Sequence, residues 1–284
     1  MKLPAFDYAA PATLREALDL LAANPGAKAL AGGQSLIPTM AYRLATPPML
    51  VDLGNVRELE RIAIDAAGVR LGARVRWRDI EDHDGLAKAH PLLVEAISHV
   101  AHYQVRNRGT VGGSLAHADP AAEMPGVVVT CDAQILLNGS RGARTIAAGD
   151  FFTGALSTTL RDDELIVEVR LPSWPPNRRW AFEEFARRRG DFALAGVAVY
   201  YDLDGNGRAA NTHIGVIGAC TRPHRVRDAE AAVNGNTLKE SIVQAAAHAL
   251  ERALDDAPTD LHASAAYRRS LAGALLERAL TRTL

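Results

Sequence analysis

Two glycine pairs, each followed by a polar side chain, constrain the fold of this chain more than any other feature of its sequence. They are Gly32-Gly33 and Gly112-Gly113. Glycine has no Cβ atom, so it allows a positive φ and lets a phosphate approach main-chain N–H groups, with Ser35, Thr110 and Ser114 as further donors. Two such turns, about eighty residues apart, would suit the two phosphates of a dinucleotide held between subdomains. The alternative is that each pair only makes a tight turn between a strand and a helix.

The residues around the first glycine pair predict a small β-α-β unit. Thr13 is a suitable N-cap for a helix over residues 14–23, whose apolar positions recur at three and four residues. Residues 27–31 and 49–53 are predicted strands, and residues 35–43 are a predicted helix between them. We expect this first subdomain to cover residues 1–55.

The middle of the chain predicts a second subdomain, over residues 56–175, that mixes strands and helices. The predicted strands are 59–64, 68–73, 133–137 and 165–171, and the predicted helices are 77–81, 91–99 and 121–128. Leu171-Pro172-Ser173-Trp174-Pro175-Pro176-Asn177 follows. Paired prolines continue neither a helix nor a central strand, so this segment predicts the main domain boundary.

The remaining residues, 176–284, predict a small C-terminal sheet covered by helices. The predicted strands are 182–187, 196–202 and 209–218, and the predicted helices are 238–254 and 264–280. Residues 205–210 also fit the dinucleotide pattern G-x-G-x-x-G/A. That pattern requires a following helix, and here a strand follows, so Asp204-Gly205-Asn206-Gly207 is interpreted as a hairpin turn.

Composition excludes several classes of function. The 284 residues carry a net charge of −1, which gives no general attraction to nucleic acid. No apolar run approaches the length of a membrane span, and the first residues lack the apolar core of a signal peptide, so a cytoplasmic protein is expected. The two cysteines, Cys131 and Cys220, are expected to be buried free thiols and are too few to hold an iron–sulfur cluster. No metal site is predicted.

Two segments resemble a known family. Residues 31–36, Ala-Gly-Gly-Gln-Ser-Leu, and residues 106–123, from Arg106 through Gly112-Gly113 to Glu123, are similar to the two FAD-binding signatures of the carbon monoxide dehydrogenase medium subunit and related molybdenum hydroxylases of the xanthine dehydrogenase family. Further similarity lies at residues 152–154, 163–166, 190–193 and 221–223. The resemblance implies an α+β fold, with a two-subdomain FAD-binding fold of the PCMH (vanillyl-alcohol oxidase-like) type followed by a small sheet-plus-helices C-terminal domain.

The resemblance also implies which residues bind FAD. Residues 31–36 and 110–114 would hold the diphosphate and ribityl chain, Glu123 would meet the polar part of the cofactor, and Ile166 would lie against it. Phe192 would lie near the isoalloxazine ring, where relatives often have tyrosine, so a stacking face is kept and a hydroxyl is lost. The implied cofactor-binding residues are Ala31, Gly32, Gly33, Gln34, Ser35, Leu36, Ala101, His102, Thr110, Val111, Gly112, Gly113, Ser114, Glu123, Ile166 and Phe192.

The function implied is electron transfer within a larger enzyme. No nucleophile–base arrangement is recognisable, so no catalytic side chain is predicted and the chemistry would belong to the flavin. The family implies a heterotrimer, possibly dimerised, in which an iron–sulfur small subunit passes electrons from a molybdopterin large subunit to this FAD and then to an external acceptor. The alternatives are a stand-alone PCMH-type flavin oxidoreductase with its own small substrate, and a scaffold protein that has lost the cofactor.

Two basic clusters remain open to interpretation. They are Arg187-Arg188-Arg189 and the pair Arg106 and Arg108. Such clusters usually form solvated faces or ion pairs. Close to an FAD site they could instead contact a phosphate or a partner subunit.

Overall fold

The computed structural model describes residues 2–284 and has an α+β architecture built on three main sheets. The first sheet is parallel throughout, with strand order β1-β3-β2. Its elements are β1 Asp7–Ala9, α1 Leu14–Ala23, β2 Lys28–Leu30, α2 Leu36–Ala41 and β3 Met49–Asp52. The predicted β-α-β unit is confirmed, because β2 and β3 pair in parallel on either side of α2.

The capping of α1 follows from its sequence. The hydroxyl of Thr13 accepts a hydrogen bond from the Glu16 N–H at 3.2 Å, and the Glu16 carboxylate accepts one from the Thr13 N–H at 3.3 Å. These reciprocal bonds form a capping box, which satisfies two N–H groups that have no partner inside the helix. The helix begins and ends at the predicted residues.

The second sheet is antiparallel, with strand order β4-β5-β10-β6-β7. Short helices cover it and a two-stranded ribbon, β8-β9, flanks it. The elements of this region are β4 Ile62–Asp65, β5 Gly68–Gly72, α3 Trp77–Glu81, α4 Leu86–Ala89, α5 Pro91–His99, α6 Tyr103–Arg106, α7 Val111–His117, α8 Glu123–Thr130, β6 Gln134–Gly139, β7 Gly142–Ala147, α9 Ala148–Phe151, β8 Phe152–Gly154, β9 Ser157–Thr158 and β10 Glu164–Pro172.

The third sheet is an antiparallel meander, β11-β12-β13-β14, backed by three helices. Its elements are β11 Arg179–Phe185, β12 Ala195–Leu203, β13 Ala209–Ile217, β14 His224–Arg225, α10 Arg227–Val233, α11 Glu240–Ala253 and α12 Ala265–Thr281. The hairpin turn between β12 and β13 is confirmed: the Gly207 N–H donates to the Asp204 carbonyl at 3.0 Å.

The third sheet is buried on both faces. Along β12, Ala198 and Tyr200 belong to the core of the second region, whereas Val197 and Val199 pack in the core beneath α11 and α12. Side chains alternate between the two faces of a strand, so one strand contributes to two cores. This explains why β12 is almost entirely apolar.

The proline-containing segment before β11 is held in place by aromatic contacts. Trp174 lies 4.5 Å from His90 and 5.3 Å from Tyr200 between ring centroids. The Arg178 guanidinium lies 4.2 Å from the Tyr200 ring centroid and 5.0 Å from that of Trp174. Burial lowers the pKa of His90 to about 3, so this imidazole is neutral in the stack.

The bounds of some elements differ from the predictions. The strand predicted at 182–187 is Arg179–Phe185, and the helix predicted at 121–128 is Glu123–Thr130. The strand predicted at 59–64 is Ile62–Asp65, because a short 3-10 helix, Arg57–Glu60, precedes it. Both cysteines are buried and free, as predicted. The division into folding units at residues 55 and 175 stays a prediction. No helix within residues 2–284 combines the length and the hydropathy needed to cross a membrane.

Candidate cofactor site

The first glycine pair forms an open turn between β2 and α2. Gly33 has a φ of +72°, which an L residue rarely adopts. The N–H groups of five successive residues, from Gly32 to Leu36, have no acceptor among the described residues. Unpaired N–H groups in a row form a concave surface for an anion. The Gln34 side chain is exposed and donates to the Gly32 carbonyl at 3.2 Å, so it does not accept from any of these N–H groups.

The second glycine pair lies inside a helix, not in a loop. Thr110 is the N-cap of α7, and its hydroxyl accepts from the Gly113 N–H at 3.2 Å. The N–H groups of Val111 and Gly112 donate to the carbonyls of Val75 and Ala73, and the Ser114 N–H donates to the Thr110 carbonyl. The expectation of free N–H groups in this segment is therefore wrong. The protein itself uses them to attach α7 to the second sheet.

The structure brings the two glycine segments together. A Cβ atom on Gly32 would lie 2.9 Å from the Gly109 Cα atom, and one on Gly113 would lie 3.9 Å from the Ala31 Cβ atom. A Cβ on Gly112 would lie 2.6 Å from the Cβ of Ala73. Gly32 and Gly112 therefore allow neighbouring segments to pack closely, and Gly33 allows the turn.

A cavity of about 420 Å³ opens between the first and second sheets beside this contact. Ala31, Gly112, Gly113 and Ile166 line it, so four of the residues implied by the resemblance share one cavity. The sequence did not indicate the rest of the lining, which is Leu21, Ala27, Lys28, Ala29, Leu53, Ala73, Arg74, Ala116, Leu156, Ser157, Thr158, Leu160, Arg161, Asp162, Glu164 and Leu165. Its volume is within the range of small-molecule sites.

The charged groups in the cavity wall are compensated. Lys28 lies 3.4 Å from Asp162, Arg74 lies 2.8 Å from Glu60, and Arg161 lies 2.5 Å from Glu164. The Arg144 side chain holds the pKa of the Glu164 carboxyl below its usual range by hydrogen bonding to it. The cavity therefore offers no unpaired cation, and the free N–H groups of residues 32–36 lie next to Ala31 in the chain, outside its lining.

The remaining predicted residues form a second group. Ala101, with a φ of +41°, and the exposed His102 lie against Gly190: a Cβ on Gly190 would be 2.7 Å from the Ala101 carbonyl oxygen. Two residues beyond Gly190, the Phe192 side chain is 64% exposed. An aromatic ring so exposed has a face free to pack on a ligand.

Glu123 lies at the start of α8, close to the same loop. The Gly218 N–H donates to the Pro120 carbonyl at 2.9 Å, and a Cβ on Gly218 would lie 2.6 Å from the Ala193 carbonyl oxygen. These contacts join the turn that precedes Glu123 to the residue that follows Phe192. Residues 103–110 connect this second group to the glycine segments.

Glu123 is accompanied by a partly buried second carboxyl, Glu184, that the sequence did not reveal. Burial raises the pKa of Glu123 to about 7, and the nearby charge of Asp119 adds to the shift. Burial also raises the pKa of Glu184 to about 9, helped by the charge of Glu123. One carboxylate oxygen of Glu184, Oε2, is buried without a hydrogen-bond partner. Both shifts favour the protonated form of the carboxyl, more strongly for Glu184 than for Glu123.

We expect Glu184→Gln to remove pH dependence from the stability of the apoprotein. A folded-state pKa above the unfolded value means that the folded state binds more protons, so the free energy of unfolding falls as pH rises toward about 9. The wild type should lose about 2 kcal/mol of its free energy of unfolding between neutral pH and pH 9. In the variant this loss should disappear. Urea unfolding at several pH values measures it. The control Glu277→Gln changes an exposed carboxyl and should show the same pH dependence as the wild type. If the free energy of unfolding varies with pH in the same way in all three proteins, the raised pKa of Glu184 is wrong.

Comparison with known proteins gives a consistent result over the whole chain. Residues 4–174 match the family model described as the FAD binding domain in molybdopterin dehydrogenase. Residues 180–283 match the CO dehydrogenase flavoprotein C-terminal domain. The nicotine 6-hydroxylase medium subunit of Paenarthrobacter nicotinovorans is 43% identical, and the match covers 99% of this chain and 98% of that protein.

Solved structures agree with these matches. The chain superposes on carbon monoxide dehydrogenase from Hydrogenophaga pseudoflava with a TM-score of 0.96 at 37% identity, covering 100% of this chain and 98% of that one. For quinoline 2-oxidoreductase from Pseudomonas putida 86 the TM-score is 0.93 at 40% identity, with the same coverage. FAD is thus the cofactor of this chain, and the enzymes to which such chains belong are oxidoreductases. The chain belongs to the family of FAD-binding medium subunits of molybdenum hydroxylases, of the carbon monoxide dehydrogenase type.

Proposed function

We propose that this subunit takes electrons from iron–sulfur clusters on a small partner subunit and passes them through FAD to an external acceptor. A large partner subunit with molybdopterin would hydroxylate the substrate, in a heterotrimer located in the cytoplasm. The two cysteines are both buried and cannot hold a cluster, so the clusters must belong to another chain. The relatives are named as subunits or chains of larger enzymes, which favours a complex over a stand-alone flavoenzyme.

The observation that carries the proposal is the row of five unpaired N–H groups from Gly32 to Leu36. The backbone at Gly32 lies so close to that of Arg108 and Gly109 that no Cβ atom fits between them. A diphosphate would satisfy these N–H groups, which otherwise have no acceptor in the described chain. The residues present therefore fit FAD. When bound, FAD supplies a ring that accepts and releases electrons.

Each part of the candidate site has a distinct role in this proposal. Residues 31–36 bind the diphosphate, and the start of α7, residues 110–114, forms the opposite wall without donating its N–H groups. Ile166 supplies an apolar surface in the same cavity. Glu123 binds a hydroxyl of the polar chain of the cofactor, since burial raises the pKa of its carboxyl to about 7 and the protonated form can donate as well as accept.

The second group of residues surrounds the other end of the cofactor. Ala101 and His102 contact Gly190 and so fix the start of the loop that carries Phe192. The exposed ring of Phe192 covers one face of the isoalloxazine system. Phenylalanine at this position stacks on the ring without a hydrogen bond to it.

Gly113→Asp is expected to abolish FAD retention, and the purified variant should be colourless. The added carboxylate would lie in the cavity, close to Ala31, which precedes the unpaired N–H groups. There it would repel a diphosphate and compete for its donors.

Two control variants separate the causes. Gly113→Asn has a similar size but no charge, so it should retain measurably more FAD than Gly113→Asp. Gly149→Asp places the same charge where a Cβ atom would meet nothing within 4 Å, and should bind FAD normally. Titration with FAD, followed by flavin fluorescence, measures the three affinities. Equal affinity in Gly113→Asp and wild type would exclude this site.

A further inference from the structure

The loop that carries Phe192 also carries three consecutive arginines without acidic partners. Arg187, Arg188 and Arg189 are exposed, and among the described residues none of them lies within 4 Å of a carboxylate. The one side-chain contact of the three is from Arg187 to His262, at 3.1 Å, and histidine cannot neutralise a guanidinium. Other arginines in the described residues are used differently: Arg144, Arg178 and Arg225, for instance, all bind carboxylates.

Local acidic groups do not offset the three charges. Asp191 is the one acidic residue in the loop between β11 and β12, and it is itself exposed. Glu183, on the preceding strand, already binds Arg282 at 2.5 Å. The chain as a whole has a net charge of −1, so this positive patch is a local feature and does not reflect the overall composition.

The position of the patch connects it to the candidate site. Arg189 immediately precedes Gly190, which packs on Ala101 and His102, and Phe192 follows two residues later. The Asp191 N–H donates to the Arg188 carbonyl at 3.1 Å, so the arginines and the exposed ring belong to one tight turn. The three guanidinium groups and the Phe192 ring are therefore carried by one short exposed loop.

We propose that Arg187, Arg188 and Arg189 form an electrostatic entry surface for the external electron acceptor, and that this acceptor is a small molecule that carries negative charge. The inference rests on the proposed electron-transfer function and names the class of acceptor that this function leaves open. A positive patch beside a reaction site raises the local concentration of anions and their association rate by about tenfold or more at low ionic strength. Bound FAD in its reduced form would give up two electrons, one to each of two molecules of a one-electron acceptor, and release two protons to the solvent.

The test compares acceptors that differ in charge. The variant is Arg187→Gln/Arg188→Gln/Arg189→Gln, and the matched control is Arg15→Gln/Arg57→Gln/Arg208→Gln, which removes three exposed arginines elsewhere. Arg208 lies at the opposite end of the β12–β13 hairpin from the loop. FAD-loaded protein, reduced with stoichiometric dithionite, is mixed in a stopped-flow instrument with ferricyanide, neutral benzoquinone or cationic hexaammineruthenium(III).

We expect the triple variant to react with ferricyanide about tenfold more slowly than the wild type at low salt, and the difference to vanish at high salt. Oxidation by benzoquinone should be unchanged, oxidation by hexaammineruthenium(III) should be faster, and the control should match the wild type throughout. Equal rates for wild type and variant with all three acceptors would overturn the proposal. Loss of FAD affinity in the variant would also overturn it, since the arginines would then hold the cofactor.

A second measurement needs no flavin. Hexacyanocobaltate(III) has the shape and charge of ferricyanide but is not reduced, and calorimetry can follow its binding to the apoprotein. We expect binding to the wild type and the control, and binding about tenfold weaker in the triple variant. If the chain fails to take up FAD, the proposed function fails, and this measurement still decides whether the patch attracts anions. If FAD binds and the anion binds equally well to the wild type and the triple variant, the role of the arginine patch is wrong but the proposed function stands.

Discussion

Gly32→Ala is expected to lower the affinity for FAD by at least about 100-fold, which corresponds to about 2.7 kcal/mol of binding free energy. The new Cβ atom would lie 2.8 Å from the Arg108 carbonyl carbon and 2.9 Å from the Gly109 Cα atom. Both neighbours belong to the main chain, so no side chain can rotate away. The two glycine segments must separate, and the row of N–H groups from Gly32 onward moves with the first of them.

Titration of the apoprotein with FAD measures this effect. Gly149→Ala is the matched control, because its added Cβ atom would meet nothing within 4 Å and the residue is exposed. The control should bind FAD as the wild type does. Because the Gly32 contact could also affect folding, circular dichroism of the apo variant should accompany the titration. A folded Gly32→Ala protein with wild-type affinity would show that the contact between the segments does not matter for the cofactor.

Arg268→Met is expected to destabilise the chain by about 3 kcal/mol, the usual consequence of removing one partner from a buried charged network. The Arg268 side chain is 5% exposed. It donates to the carbonyls of Leu194 and Gly218, both at 2.8 Å, and to Asp260 at 2.7 Å. Methionine has a similar length but no donor, so two carbonyls would lose their partner inside the protein.

The adjacent residue provides the control for this prediction. Arg269 is more exposed and has no ion pair or side-chain hydrogen bond among the described residues, so Arg269→Met should change the free energy of unfolding by less than about 0.5 kcal/mol. Urea unfolding of the apoprotein measures both. Because Leu194 ends the loop that carries Phe192, the Arg268 variant should also bind FAD more weakly. Equal midpoints for the two variants would show that Arg268 contributes little.

Local sequence patterns were sufficient for most of the helices and strands. The helices over 14–23, 77–81 and 91–99 were predicted at their observed ends, because caps and apolar spacing agree there. Strand β7 was missed, because it is an edge strand of mostly small and exposed residues, Gly-Ala-Arg-Thr-Ile-Ala, which give no clear apolar alternation. The helix α10 was also missed, since its first turn follows closely on the short strand β14.

The site was predictable in part. The glycine pairs identified both segments, but glycine disfavours helices, so the second pair was interpreted as a loop although Thr110 caps a helix there. The contacts between Gly32 and Gly109 and between Gly190 and Ala101 join residues far apart in sequence, and no local pattern encodes them. Glu184 gave no signal, because its buried carboxyl becomes apparent only when the strand β11 is packed beside α8.

The two-sided burial of β12 has a consequence for movement within the subunit. Swinging the C-terminal sheet away from the middle region would expose the apolar face that includes Ala198 and Tyr200, at a cost of about 25 cal/mol for each Å² uncovered. Trp174 and Arg178, stacked with His90 and Tyr200, would have to leave their places as well. The contacts of Trp174 and Arg178 therefore hold the C-terminal sheet against the middle region, and separating the two would cost both this stack and the shared apolar face.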